Sequence, residues 1–169
     1  MKYNIIVACD INNGIGKDNK LPWNIPEDLK RFSKLTRGEG NNAIIMGKNT
    51  WESLPKKPLP KRDNLILSST LDLEIGEPKN TYVKSFTDIM SLDKFCEKQN
   101  YDTVWIIGGS NVYEQFIEHI RLNKIYLTRI HNSYDCDTRF PDISFLSLEN
   151  VETIFIDSLK IEYMLYGKN

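Results

Sequence analysis

The sequence predicts a single α/β domain over residues 1–169, with a mainly parallel central β-sheet, flanking helices and an antiparallel strand at its C-terminal edge. Three observations predict it. Apolar runs such as Ile5-Ile6-Val7-Ala8 and Ala43-Ile44-Ile45-Met46 read as strands covered on both faces, as parallel strands are. Such runs alternate with helical stretches for most of the chain, which is the pattern of helices crossing over a parallel sheet. The last part, Val151 to Ile156 and Ile161 to Tyr166, instead alternates apolar and polar residues, as an antiparallel pair at a sheet edge does. A chain of 169 residues suits one domain with a substantial core.

The elements follow in order. Tyr3 to Asp10 is the first strand, and a loop with Gly14 and Gly16 runs from Asn12 to Trp23. Pro26 suits a first helical turn, Glu27 and Asp28 put acids at the positive helix end, and Gly38 ends a helix running to Arg37. Ala43 to Gly47 is a second strand, and a short helix covers Thr50 to Leu54. Pro55, Pro58 and Pro60 make that stretch a loop, since proline breaks both kinds of backbone ladder. Asn64 to Leu67 is a third strand, Tyr82-Val83 a short one, and Phe86 to Gln99 a helix. Thr103 to Ile107 is a strand whose Gly108-Gly109 opens a helix over Asn111 to His119, and Lys124 to Ile130 is the next strand. Asn111 and Glu114 have capping-box spacing at the start of that helix.

Composition narrows the function. Hydrophobic content is 40%, charged content 27% and net charge −1, with no basic stripe of the kind a nucleic-acid binder needs. The runs Lys56-Lys57 and Lys61-Arg62 are short and read as solvated loop. Cys9, Cys96 and Cys136 are far apart, and His119 and His131 are the only histidines, so no metal-ligand spacing is present. Reduced thiols point to the cytoplasm. The apolar run before Cys9 is shorter than the roughly 7–15 residues of a secretory signal core, and no run approaches the ~18 of a membrane span.

In parallel sheets ligands bind beyond the carboxyl ends of strands, so the residues just after each strand carry the chemistry. Asp28, Arg31, Phe32 and Leu35 share one helix face by spacing. A carboxylate beside an apolar wall is desolvated and can manage a substrate proton; equally, Asp28 is a helix-terminal acid or a partner of Arg31. Gly108-Gly109 lets backbone approach a phosphate, or simply makes a tight turn. Lys48, Ser68, Ser69 and Lys84 fall at strand ends and form either a phosphate cradle or a solvated surface. Gly14-Ile15-Gly16 lacks the third glycine of the dinucleotide fingerprint, and no P-loop or nucleophile elbow occurs.

Read together, the segments resemble the dihydrofolate reductase family. The matching residues are Ile6-Val7-Ala8, Gly14-Ile15-Gly16, Leu21 to Leu29 (LPWNIPEDL), Ile45 to Leu54 (IMGKNTWESL) and Pro58 to Arg62 (PLPKR). Leu67-Ser68-Ser69, Val83-Lys84-Ser85, Ile106 to Ser110 (IIGGS), Val112-Tyr113, Leu127-Thr128 and Cys136 to Pro141 (CDTRFP) continue the match collinearly.

The resemblance implies a dihydrofolate reductase-like domain that reduces 7,8-dihydrofolate to tetrahydrofolate with NADPH, in support of one-carbon and thymidylate metabolism. It implies roles for single residues. Asp28 is the carboxylate that hydrogen-bonds the pterin and promotes protonation of N5, Thr128 its hydroxyl partner. Leu21 lies on the mobile loop over the nicotinamide, with Gly14 and Gly16 as hinges, and Trp23 and Tyr113 flank pterin and nicotinamide. Ile6, Val7, Phe32, Leu54, Leu59 and Ile107 wall the substrate, and Arg62 binds the α-carboxylate of its glutamate. Ala8, Ile15 and Gly16 contact the nicotinamide; Lys48, Asn49, Ser69 and Lys84 hold the 2′-phosphate. Gly108, Gly109, Ser110, Asn111 and Val112 form the pyrophosphate turn, whose Gly-Gly peptide is cis in the family, and Gly47, Thr50, Leu67 and Ser68 complete the cofactor side. Lys48 stands where many relatives carry arginine. The resemblance further implies binding of antifolate-type small molecules, a monomer, and no metal, nucleic acid or membrane. No thymidylate synthase portion is expected after Asn169. The rival readings are a reductase of riboflavin precursors, in which Asp28 with Arg62 is not expected; an idle pterin- or dinucleotide-binding module; and a scaffold for a protein partner.

Overall fold

The computed structural model describes residues 1–168, so only Asn169 of the expected domain lies outside the described residues. The first strand, β1 (Lys2–Cys9), stops one residue short of the expected Asp10, whose side chain turns back to cap the following loop. Within that loop lies β2 (Gly14–Gly16). Helix α1 (Pro26–Arg37) has the expected bounds, with proline in its first turn and Gly38 at its end in a positive-φ conformation (φ 51°) that glycine tolerates best. Strand β3 (Asn42–Gly47) leads into α2 (Lys48–Ser53), which starts two residues before the expected Thr50. Strand β4 (Asp63–Leu67) follows the proline loop, where Lys57-Pro58 is cis.

A hairpin of β5 (Glu74–Glu77) and β6 (Asn80–Phe86) replaces the short expected strand at Tyr82-Val83. Phe86 therefore belongs to a strand, and α3 (Ile89–Gln99) begins after Asp88, whose carboxylate accepts the Ser91 N–H at 2.8 Å. Strand β7 (Thr103–Gly108) runs into α4 (Ser110–Phe116), which is shorter than the expected helix to His119. The expected capping box is also absent: Gly109 is the cap, and Asn111 instead accepts from Gln115 Nε2 at 2.8 Å on the exposed side of the helix. The chain ends with β8 (Leu122–Ile130), the two-residue β9 (Thr138–Arg139), β10 (Ser147–Ile156) and β11 (Leu159–Gly167).

The main sheet has the order β10-β11-β8-β1-β7-β3-β4-β6-β5. Its centre, from β8 to β6, is parallel; β10 and β11 are antiparallel at one edge, as expected, and β5 is antiparallel at the other. A separate ribbon pairs β2 with β9. Alternate residues of the central strands feed opposite faces. Tyr3, Ile5, Val7, Ile45, Leu65, Ile106 and Ile125 pack on one face with Phe116 and Leu92. Ile6, Ile44, Met46, Ile66 and Trp105 pack on the other, where Phe32, Leu35, Leu54, Leu59, Ile107 and Tyr126 are only partly covered. Each fully buried aliphatic contributes about 1.5–3 kcal/mol, so the first face secures the fold while the second presents an apolar wall.

Candidate active site

Parallel register brings the carboxyl ends of six strands into one row. Ala8 lies opposite Thr128, Met46 opposite Gly108, and Gly47 opposite Leu67, which in turn pairs with Phe86. Residues expected at the site from distant parts of the sequence are thus neighbours because the strands are parallel and end together.

Asp28 hangs over this row from the first turn of α1. Thr128 Oγ1 donates to its Oδ1 at 2.9 Å. Burial pushes the Asp28 carboxyl above its ordinary value; the Thr128 hydroxyl and the Arg31 charge pull the other way without cancelling it. Arg31 forms no ion pair with Asp28; its guanidinium stacks on the Tyr163 ring, 4.1 Å from the centroid. Of the three readings of Asp28, the partner of Arg31 is not matched; the carboxylate is both desolvated and in the first turn of α1. Phe32 and Leu35 continue the same helix face into the apolar wall with Leu54, Leu59, Ile6 and Ile107.

Arg62 is not a solvated loop residue: it is 4% exposed. Its Nε donates to Pro60 O at 2.9 Å and its Nη1 to Thr36 Oγ1 at 3.0 Å, which aims the guanidinium back toward α1. Burial, with Arg37 nearby, lowers its pKa to about 10, so it keeps its charge at neutral pH, and among the described residues no carboxylate pairs with it. Asn64, expected only as a strand residue, holds this loop in shape. It accepts from Leu59 N at 2.9 Å and donates to Leu59 O at 3.0 Å and Arg62 O at 2.8 Å. Its signal was an amide at the start of a buried strand right after the proline loop.

On the other side of the row, the Gly108-Gly109 peptide is cis and Gly108 has φ 123°. A Cβ at Gly108 would meet Tyr113 Oη at 3.2 Å, and one at Gly47 would meet Val112 Cγ2 at 3.1 Å, so both glycines permit close approach of backbone to neighbour. Tyr113 donates its hydroxyl to Ile6 O at 2.9 Å, tying α4 to the end of β1. Thr50 sits 3.7 Å from the Cβ position of Gly109, and Ser110 and Asn111 open α4 beside it.

The expected phosphate cluster is dispersed over the strand ends. Lys48 Nζ reaches Thr70 Oγ1 at 3.3 Å and lies 3.8 Å from Glu52. Ser68 Oγ accepts the N–H groups of Thr70 and Leu71, both at 3.2 Å, and so shapes the turn, while Asn49 and Ser69 are exposed. Lys84 lies 3.6 Å from Glu74, which also accepts from the Tyr82 hydroxyl.

The loop over the row is stitched down. Gly14 and Gly16 pair with Arg139 and Thr138, and Asp18 N donates to Asp137 Oδ2 at 3.0 Å. Glycine at 14 also answers a close approach, because a Cβ there would collide with the Cys136 side chain and Asp10 Oδ1. Ile15 packs against the first core, Leu21 is 56% exposed, and Trp23 meets the Tyr134 ring edge-on at 5.3 Å. Cys9, Cys96 and Cys136 are free thiols, and among the described residues no helix is long and apolar enough to cross a membrane.

A parallel sheet whose carboxyl strand ends meet a desolvated carboxylate and a glycine turn, with an apolar wall beside them and a buried guanidinium at the amino end of β4, defines an α/β enzyme of small molecules. A family model for dihydrofolate reductase matches residues 2–164. The chain is 39% identical over 150 residues to a dihydrofolate reductase of Drosophila melanogaster, covering 85% of this chain and 81% of that one. It is 43% identical over 147 residues to the viral dihydrofolate reductase of Saimiriine herpesvirus 2 (strain 488), covering 83% and 68%. Against a bifunctional dihydrofolate reductase-thymidylate synthase of Arabidopsis thaliana it is 36% identical over 151 residues, covering 83% of this chain and 26% of that one. The chain belongs to the dihydrofolate reductase family and is an oxidoreductase. The family's reaction is the reduction of dihydrofolate to tetrahydrofolate with a nicotinamide cofactor.

Proposed function

We propose that this protein reduces 7,8-dihydrofolate to 5,6,7,8-tetrahydrofolate with NADPH, acting as a cytoplasmic monomer that also binds antifolate-type molecules. The observation that carries the reading is Asp28: a desolvated carboxyl held by Thr128 at the edge of an apolar wall. A pterin presents ring nitrogens to such a carboxyl, and a pKa raised by burial makes Asp28 hold a proton more readily than an exposed carboxylate does. Asp28 orients the ring and favours protonation at N5, and Thr128 fixes the rotamer of Asp28. Ile6, Phe32, Leu54, Leu59 and Ile107 exclude water from the pterin and benzoyl group, while Val7, whose side chain packs on the opposite face of the sheet, would offer only its backbone. Arg62, pre-aimed by Thr36 and Pro60, has the planar fork for the glutamate α-carboxylate.

The residues present fit NADPH. Gly47 and Gly108 let Val112 and Tyr113 pack close against the strand ends, which draws the Gly108-Gly109 turn up to β3, and Lys48 and Lys84 bring cations toward the ends of β3 and β6, on either side of β4. Gly108, Gly109, Ser110, Asn111 and Val112 would hold the pyrophosphate, with Gly47, Thr50, Leu67 and Ser68 beside it. Lys48, Asn49, Ser69 and Lys84 would hold the 2′-phosphate, and Ala8, Ile15, Gly16 and Tyr113 the nicotinamide end. NADPH, when bound, supplies the hydride that C6 of the pterin accepts. Leu21 and Trp23 close the loop side of the site, which excludes water.

The test mixes purified protein, NADPH and dihydrofolate and follows NADPH absorbance, with Asp28→Asn in parallel. Consumption by the wild type alone supports both the reaction and the role of Asp28. No consumption by either, with NADPH still bound, would refute the reading.

A further inference from the structure

Asp10 lies just beyond β1 and two residues after Ala8, and it belongs to none of the site roles above. It is 1% exposed. Oδ1 accepts the N–H groups of Asn12 and Gly14, both at 2.8 Å, and Oδ2 accepts the Tyr134 N–H at 3.2 Å. The Cys136 thiol adds a further donor. Its backbone takes part as well: Asp10 N donates to Gly14 O at 2.8 Å, and Asp10 O accepts from Arg129 Nη1 at 3.1 Å. Burial alone would raise this carboxyl, yet the amides of Gly14, Tyr134 and Asn12 outweigh it and hold Asp10 below the ordinary carboxylate value.

The partners of this one carboxylate are two separate loops. Asn12 and Gly14 begin the loop that carries Ile15, Gly16 and Leu21 toward the site. Tyr134 belongs to the loop after β8, and its ring meets Trp23 edge-on at 5.3 Å, where the first loop ends. Asp10 thus holds the loop at its start through backbone amides and at its end through Tyr134 and Trp23.

We propose that Asp10 is a positioning residue that clamps both ends of the 12–23 loop against the nicotinamide side of the site. The proposal rests on the assignment of Ile15, Gly16 and Trp23 given under Proposed function. It does not place Asp10 in contact with substrate or cofactor; it acts through the loop.

Asp10→Ala removes all the acceptors, whereas Asp10→Asn keeps one acceptor oxygen and turns a donor toward an N–H, so both loosen the clamp and the second is the milder. Two readings are taken on folded protein. Amide exchange of residues 12–16 and 133–136 is expected to quicken about tenfold or more in both variants, since these amides lose a charged acceptor, while exchange in β3 and β7 stays put. In single-turnover experiments at saturating ligands, hydride transfer is expected to slow about tenfold and NADPH to dissociate about tenfold faster, with the dihydrofolate KM nearly unchanged. Wild-type transfer and dissociation rates in a folded variant would overturn the proposal, even with quickened exchange, because the clamp would then be structural only. If Asp10→Ala does not fold, Asp10→Asn alone decides. A wild-type protein that fails to oxidise NADPH with dihydrofolate refutes the proposed function instead, and unchanged exchange at residues 12–16 would still sink the clamp.

Discussion

Thr128 Oγ1 donates to Asp28 Oδ1 at 2.9 Å, joining the middle of the sheet to the first turn of α1 across 100 residues of sequence. The bond can re-form with an amide at position 28, since a side-chain carbonyl also accepts, though more weakly than a carboxylate. Asp28→Asn is therefore expected to keep the fold and NADPH binding while turnover near pH 7 falls about 100-fold or more, the usual weight of a lost acid–base group. Stability should move the other way. A carboxyl whose folded pKa is raised stabilises the protein fully only below its unfolded pKa, and that contribution is lost as pH rises through the folded value. Above the folded pKa the variant no longer buries a charge, so its Tm is expected to exceed that of the wild type there. The gain should vanish in acid, which thermal melts at two pH values check.

Thr128→Val tests the same pair from the other side. The hydroxyl stabilises the ionised form of Asp28, so removing it raises the carboxyl further. The pH at which turnover declines should move to more alkaline values in the valine variant. A pH–rate profile of hydride transfer that stays where it was would show that Asp28 does not set that limb.

Arg62→Lys keeps a charge but not the planar fork. Losing one charged hydrogen bond is worth about 1.5–3 kcal/mol, so the KM for dihydrofolate is expected to rise about 10- to 100-fold with kcat little changed. Dihydropteroate, which lacks the glutamate, should show no difference between variant and wild type. That comparison separates a lost carboxylate contact from damage to the loop that Asn64 supports.

Lys84 and Glu74 compete for the same task. With Glu74 3.6 Å away, Lys84 spends part of its charge inside the protein. Lys84→Ala should lower kcat/KM for NADPH about tenfold, consistent with one charged phosphate contact, and leave NADH untouched. Glu74→Gln should instead strengthen NADPH binding, most visibly at low salt, where exposed charges are least screened.

Much of this was legible in the sequence because the sheet is parallel. Apolar runs marked the central strands, and the rule that ligands sit beyond strand ends pointed at Lys48, Ser68, Ser69, Lys84 and Gly108-Gly109, while Ala8, Gly47 and Leu67 came with the family resemblance; the register brings Ala8, Gly47, Leu67 and Gly108 into one row. What escaped lacked an apolar signature. Every residue of β5 is exposed, so the Glu74–Glu77 strand exists through pairing with β6 and has no buried face to announce it. Phe86 looked like a helix start but is buried in β6, while Asp88 three residues before Ser91 carried the true capping signal. At α4 the reverse happened: Asn111 and Glu114 had the right spacing, but Gly109 had already begun the helix. Arg62 beside Lys61 looked like solvated loop, and only burial against Thr36 sets it apart. Asp10 was read as a strand residue. An acid closing an apolar run just before Asn-Asn-Gly is a signal for a carboxylate that gathers turn amides.

The place of β1 in the sheet has a consequence for assembly. Its neighbours are β7 and β8, with Lys2 opposite Thr103 and Tyr3 opposite Leu122. The strand made first is thus completed almost last. Two long loops must close before its backbone amides find partners, and contact order this high places folding in the slow range of milliseconds to seconds. A nascent chain halted near residue 120 would hold β1 with one edge open, its Ile5, Ile6 and Val7 offered to any passing strand, and would call on chaperones until β8 emerges.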